Sequence, residues 1–218
     1  MPTKSNPKAA ADFRRRLLAW YRKAARDLPW RRTRDPYAIL VSEFMLQQTQ
    51  VSRVLDYWPR FLRRYPTLER LARARPSAVR EVWEGLGYYR RAENLHRLAK
   101  VVVSEYDGRL PDEPAELEKL PGVGHYTAGA VACFAYEKPA ATVDTNVARV
   151  LGRVFRVTGT RNLIALHRAI QPRRGSTAWS FNQAVMELGA LVCTARRPRC
   201  TACPVRAACL FFAASSGG

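Results

Sequence analysis

Apolar side chains recur at three- and four-residue spacing along almost the whole chain, and strict apolar/polar alternation is nearly absent. That periodicity confines the chain to an all-α fold. In "DFRRRLLAWYRKAARD", Phe13, Leu17, Trp20, Tyr21 and Ala24 make one stripe, with arginines opposite. "DPYAILVSEFMLQQ" opens with Asp35 placed to cap a helix and Pro36 at its first position, where the missing N–H costs nothing. Thr67 before "LERLARA" and Ser77 before "AVREVWEGL" read as further caps, and the second of these helices stops near Gly85 or Gly87. Helices are also predicted over "RRAENLHRLAKVVVSEY", ending before Asp107-Gly108, and over "HYTAGAVACFAY", "DTNVARVLGRVF" and "TAWSFNQAVMELGALVC". The only extended candidate is the short "PAATV" at 139–143. There is no internal repeat. Residues 1–8 and 213–218 read as frayed ends. No run of 18 apolar residues occurs, so no membrane span is expected.

Lys and Arg number 37 against 18 Asp and Glu, a formal net charge of +19. Residues 1–34 alone carry eleven basic and two acidic side chains, and basic residues recur at Arg60, Arg63, Arg64, Arg90, Arg91, Arg173 and Arg174. Self-repulsion on that scale opposes folding unless a polyanion answers it, and nucleic acid is the expected partner.

Four of the five cysteines lie in "CTARRPRCTACPVRAAC", from Cys193 to Cys209, among four arginines and no acidic residue. Disulfide staples suit small secreted domains, whereas this start has no apolar signal segment and the length allows a substantial core. Zinc prefers two short-spaced ligand pairs; here one pair, Cys200 and Cys203, is flanked by single cysteines. A 4Fe–4S cube held by four thiolates is the third possibility. Spacing alone leaves these open. The cysteine usage points to a reducing, cytoplasmic compartment.

In "LEKLPGVGHYTAGAVACFAY", Gly122 and Gly124 permit a tight turn between a short helix and one rich in small residues. The turn is either an ordinary helix–helix connection or a phosphate site made from outward amides at a helix N-terminus.

This hairpin, followed by "VDTNVARV" and then Cys-x6-Cys-x2-Cys-x5-Cys, resembles the helix-hairpin-helix DNA glycosylases of the endonuclease III superfamily, over about residues 12–210. The resemblance implies a six-helix domain at 29–138 and a cluster domain made of 9–28 with 139–218, the active site lying in the cleft between them. It also implies one 4Fe–4S cluster per chain on Cys193, Cys200, Cys203 and Cys209, with Arg196, Arg197 and Arg199 facing DNA phosphate. The implied partner is double-stranded DNA with mismatched or oxidised base pairs, bound by a monomer, nucleoid-associated in a prokaryote.

"LPWRRTRDPYAILVSEFMLQQTQV", "GLGYYRRAENLH" and "FNQAVMELGALVC" look like the adenine-specific, MutY-type branch, which removes adenine opposite 8-oxoguanine or guanine. Glycosidic cleavage needs an acid for the leaving base and a carboxylate beside the cationic sugar. Glu43, in an apolar helix where burial raises a carboxyl pKa, matches the family's acid. Asp144 would by itself read as an N-cap, favoured as an anion by the helix dipole, and it matches the family's aspartate. Asn146 matches a residue that supports this aspartate. Tyr126 stands where bifunctional relatives carry a Schiff-base lysine, so base removal without strand cleavage is implied. Arg26, Leu28, Trp30 and Glu187 match positions around the adenine pocket, Arg31 is a further substrate- or DNA-binding candidate beside them, and Gln48 and Tyr88 match side chains wedged into the stack where the base is flipped out. For Trp30 and Tyr88 a core role is the competing reading, and His125 and Cys133 read as ordinary structural residues.

Thr145 stands where the adenine branch usually has glycine, and the chain stops nine residues after Cys209, without that branch's Nudix-like domain. Only a modest preference for 8-oxoguanine is therefore expected. Two other readings stay in view. One is a glycosylase for thymine or uracil opposite guanine, although that branch lacks the "SEFMLQQTQV" glutamate motif; the other is a non-catalytic lesion-binding module.

Overall fold

The computed structural model describes residues 7–215, and its regular elements there are all helical. In chain order they are α1 (Pro7–Ala24), α2 (Pro36–Leu46), α3 (Val51–Arg64), α4 (Leu68–Ala72), α5 (Pro76–Val82), α6 (Arg90–Glu105), α7 (Pro114–Leu117), α8 (His125–Tyr136), α9 (Thr145–Phe155), α10 (Thr160–Ile170), α11 (Gly175–Leu191) and α12 (Leu210–Ser215). Single 3-10 turns occur at Pro29–Arg31, Cys200–Ala202 and Arg206–Ala208. Among these helices none is long and apolar enough to cross a membrane. Pro7 and Lys8 are helical, as are residues 213–215, so the expected frayed ends shrink; residues 1–6 and 216–218 lie outside the described part.

The chain divides into two compact units: a central unit, Asp27–Tyr136, and a split unit made of Met1–Arg26 with Glu137–Gly218. In the central unit, Asp35 accepts a hydrogen bond from Tyr37 N at 3.0 Å, starting α2 where the sequence places it. Helix α2 is buried from Tyr37 to Met45 and packs on α3, α6 and α8. A helix apolar all round is one enclosed by others. Ala128, Gly129, Ala130 and Ala132 are buried small residues of α8, which packs against α2. Thr67 caps α4 by accepting from Arg70 N at 3.3 Å. Ser77 is not a cap: α5 starts at Pro76 after Arg75, because the fixed φ of proline pre-forms the first turn.

In the split unit, Phe13, Leu17 and Tyr21 of α1 join one core with Val147, Val150, Leu151 and Val154 of α9 and Phe181, Ala184, Val185 and Leu188 of α11. Phe13 meets Phe155 and Phe181 edge-on, at centroid distances of 5.3 and 6.3 Å. Each such buried side chain contributes roughly 1.5–3 kcal/mol. The "PAATV" segment forms no strand. Its carbonyls take side-chain donors instead: Gln171 Nε2 donates to Pro139 O at 3.2 Å and Asn182 Nδ2 to Ala140 O at 3.3 Å.

His167 of α10 is fully buried beside Phe181. Burial holds its pKa down to about 4 from the ordinary 6.5, opposed by Asn182 and reinforced by Arg168. The unfolded chain therefore binds the extra proton between these values, and stability is complete above about pH 6.5 and falls as pH drops towards 4. The expected loss is about 3 kcal/mol. Urea unfolding at pH 7 and pH 4.5 measures it, and His167→Gln should remove most of the difference; an unchanged slope would contradict this origin.

Candidate functional site

Asp144 caps α9, and each of its carboxylate oxygens has a donor: Val147 N at 2.7 Å to Oδ1 and Asn146 Nδ2 at 3.1 Å to Oδ2. Asn146 is itself fixed, because its Oδ1 accepts from Arg149 at 2.7 Å. Arg149 also donates to Gly189 O and Cys193 O, both at 2.8 Å. Gly189 permits this close approach: a Cβ there would stand 2.6 Å from Asn146 Cβ and 3.1 Å from its Cα. Thus α11 presses on the first turn of α9 and orients Asp144 through Asn146. Arg149 and Gly189 escaped the sequence reading because nothing in their local pattern distinguishes them from a surface arginine and a helical small residue. Thr145, the first residue of α9, is exposed.

Cys193, Cys200, Cys203 and Cys209 line one recess, with Val150, Val154, Leu188 and Val192 in its wall. Among the described residues, no three His, Cys, Asp or Glu side chains form a single-ion site. The thiols border a common space, as suits a multi-atom group with a ligand at each corner. Burial pushes the Cys203 thiol up to about 11 and raises Cys200 as well, with Cys193 and Cys209 adding to both. Such thiols become thiolates against the positive charge of a bound metal group. Arg153 braces the loop, donating to Thr194 O at 2.7 Å, to Ala195 O at 2.8 Å and to Cys193 Sγ at 3.4 Å. Arg196, Arg197 and Arg199 are exposed on this loop.

Arg26 and Glu187 meet in the split unit as a two-pronged pair, Nε and Nη2 each 2.8 Å from a carboxylate oxygen, and Arg26 N donates to Oε1 at 2.8 Å. The Glu187 side chain is 0% exposed and that of Arg26 is 35% exposed.

In the central unit Leu28 and Trp30 are buried, Trp30 packing edge-on to Trp58 at 6.1 Å, and Arg31 is half-buried. Glu43, on the last turn of α2, is 6% exposed. Gln48 and Tyr88 are both exposed, Tyr88 at 59%, and both hold left-handed backbone, φ +56° and +48°. Non-glycine residues in that region cost about 1–2 kcal/mol each, so two loops spend strain to present these side chains. The hairpin joins α7 to α8, with Gly122 at φ +77° and both Gly122 and Gly124 exposed. Tyr126 is half-buried in the first turn of α8, Cys133 is fully buried further along it, and His125 contacts Glu118 at 2.8 Å on the surface. Arg91 departs from expectation: counted with the basic surface, it is buried. Its position inside "GLGYYRRAENLH" gives no sign of this, since Arg90 beside it is exposed.

A family model described as HhH-GPD superfamily base excision DNA repair protein matches residues 41–171. The adenine DNA glycosylase of Mycolicibacterium smegmatis is 50% identical over 195 residues, 87% of this chain and 66% of that protein. The chain thus spans just under two thirds of that relative's length. The thymine-DNA glycosylase of Aeropyrum pernix is 40% identical, over 92% of this chain and 94% of that one. Among solved structures, a thermostable thymine-DNA glycosylase superposes with a TM-score of 0.89 at 33% identity, covering 95% of this chain and 98% of that one.

Proposed function

Because the chain belongs to the HhH-GPD superfamily of base excision DNA repair proteins, we propose that it is a monofunctional glycosylase that hydrolyses the N-glycosidic bond of adenine opposite 8-oxoguanine or guanine. The observation that carries the reading is a pair of carboxyl groups: Glu43, buried at 6% exposure near the end of α2, and Asp144, held by donors at the start of α9. Glu43 holds a proton and delivers it to adenine N7, so the base leaves neutral as the electron pair of the sugar–base bond passes to N9. Asp144 opposes the positive charge that develops on the sugar. Water then adds to the anomeric carbon and passes its proton to the Glu43 carboxylate, which restores the acid. Asn146 keeps Asp144 aimed. Tyr126 has no amine for a Schiff base, so the strand is left intact. Gln48 and Tyr88 enter the space vacated by the flipped base, and the hairpin glycines with Arg196, Arg197 and Arg199 contact phosphate. Leu28, Trp30 and Arg31 support the base pocket.

Cys193, Cys200, Cys203 and Cys209 hold one 4Fe–4S cluster. When bound, it cross-links four points of the arginine-bearing loop. Purified protein should contain about four irons per chain; stoichiometric zinc without iron would falsify this assignment.

A second reading is supported by the 40% identity to a thymine-DNA glycosylase along 94% of that protein. One experiment separates the two: labelled duplexes carrying A·8-oxoG, A·G, T·G or U·G are incubated with the protein and then treated with alkali. Cleavage of the A-containing duplexes alone supports adenine removal; cleavage of T·G and U·G alone transfers the function to the second reading, and activity on none would leave a lesion-binding module.

A further inference from the structure

Arg91 of α6 is buried, 7% exposed, and its guanidinium spreads over two loops of the central unit. On one side Nη1 donates to Phe44 O, Met45 O and Gln47 O at 3.0, 2.7 and 2.5 Å. There too Nη2 donates to Thr49 Oγ1 at 3.0 Å; on the other side Nη2 donates to Gly87 O at 3.0 Å and Nε lies 3.4 Å from Tyr88 O. The Tyr88 ring lies 5.5 Å from the same guanidinium. Helix α2 has no basic residue in its last turn, so Arg91 supplies the cation that its terminal carbonyls need. Those carbonyls follow Glu43 directly, and the two clamped loops carry Gln48 and Tyr88 in strained left-handed backbone. Only a planar fork spans both loops at once; a lysine ammonium is a single point.

We propose that Arg91 is the positioning residue for base extrusion: it fixes the spacing of the Gln48 and Tyr88 loops and ties both to the end of α2 that carries Glu43. This role rests on the glycosylase reading above and adds to it a residue that touches neither base nor sugar.

The test is a double-mutant cycle in the full chain, with Arg91→Lys alone and combined with Gln48→Ala plus Tyr88→Ala. Two quantities are followed: emission of 2-aminopurine placed opposite guanine, which rises when the base unstacks, and the single-turnover rate at saturating enzyme. Arg91→Lys should suppress the emission rise and slow release on the order of 100-fold, as small misplacements of reacting groups do. In the background already lacking both wedges, it should slow the reaction by no more than about threefold, since coupled residues are not additive. Arg91→Met, which also loses the charge, should be at least as slow, and Arg91→Lys decides the matter if that variant does not fold. A folded Arg91→Lys protein with wild-type emission and rate, or losses that simply multiply in the wedge-less background, would reduce Arg91 to a helix cap. If the wild-type protein acts on T·G instead of A·G, the cycle is run on T·G and judged identically. A wild-type protein inactive on all four duplexes overturns the glycosylase reading and this role with it.

Discussion

Glu43→Gln should lower the single-turnover rate of adenine release by roughly two to four orders of magnitude, the usual scale for a general acid. The substitution keeps the side-chain volume in a helix whose Tyr37–Met45 stretch is wholly buried. The loss should therefore come without a comparable loss of stability, and thermal melting checks that. Asp144→Asn should be damaged to a similar degree, because it removes the charge aimed at the sugar cation. It is a particularly clean change. Asparagine is as good an N-cap as aspartate, so the bond to Val147 N, and with it the start of α9, should survive. Near-normal rates in either folded variant would overturn the assigned chemistry, whatever the duplex preference.

Arg26→Ala should produce the largest change in stability. It takes the two-pronged guanidinium away from the Glu187 carboxylate, whose side chain has no exposure. Breaking a buried pair from one side costs 3–5 kcal/mol in general; about 3 is expected here, because the Arg26 side is a third exposed and water can enter the gap. Glu187→Gln should cost less, about 1–2 kcal/mol, since the residual cation faces solvent and the amide oxygen still accepts. The double change Arg26→Met with Glu187→Leu should recover much of the difference, as apolar replacement of both partners often does. Urea titration of the set measures it. An Arg26→Ala midpoint equal to wild type would mean that the pair adds no more than an exposed one.

How much could be read in advance depended on whether the information was local. Helical spacing, the Asp35 and Asp144 caps and the small-residue helix α8 are set by neighbours in sequence, and these elements form as expected. Helix α3 went unrecognised: Pro59 interrupts its pattern, and only the surrounding packing carries the helix through it. The expected Ser77 cap lost to Pro76 one residue earlier. At the candidate site, the four-cysteine loop and the two carboxyl groups were conspicuous because their residue types announce chemistry. Arg91, Arg149 and Gly189 were not. Their roles depend on carbonyls and side chains about 40 residues away, Phe44 for Arg91, Cys193 for Arg149 and Asn146 for Gly189. No pattern in a single sequence records such partners.

The split unit has a consequence for biosynthesis. Helix α1 leaves the ribosome before its partners, for Phe13, Leu17 and Tyr21 pack on α9 and α11, beyond the 110 residues of the central unit. At roughly 5–20 residues per second, this arginine-rich helix waits on the order of ten seconds with its apolar stripe uncovered. Translation halted before α9 would release the whole central sequence joined to an unpaired basic amphipathic helix. Such a fragment would carry the eleven basic and two acidic side chains of residues 1–34 with the apolar stripe of α1 left uncovered.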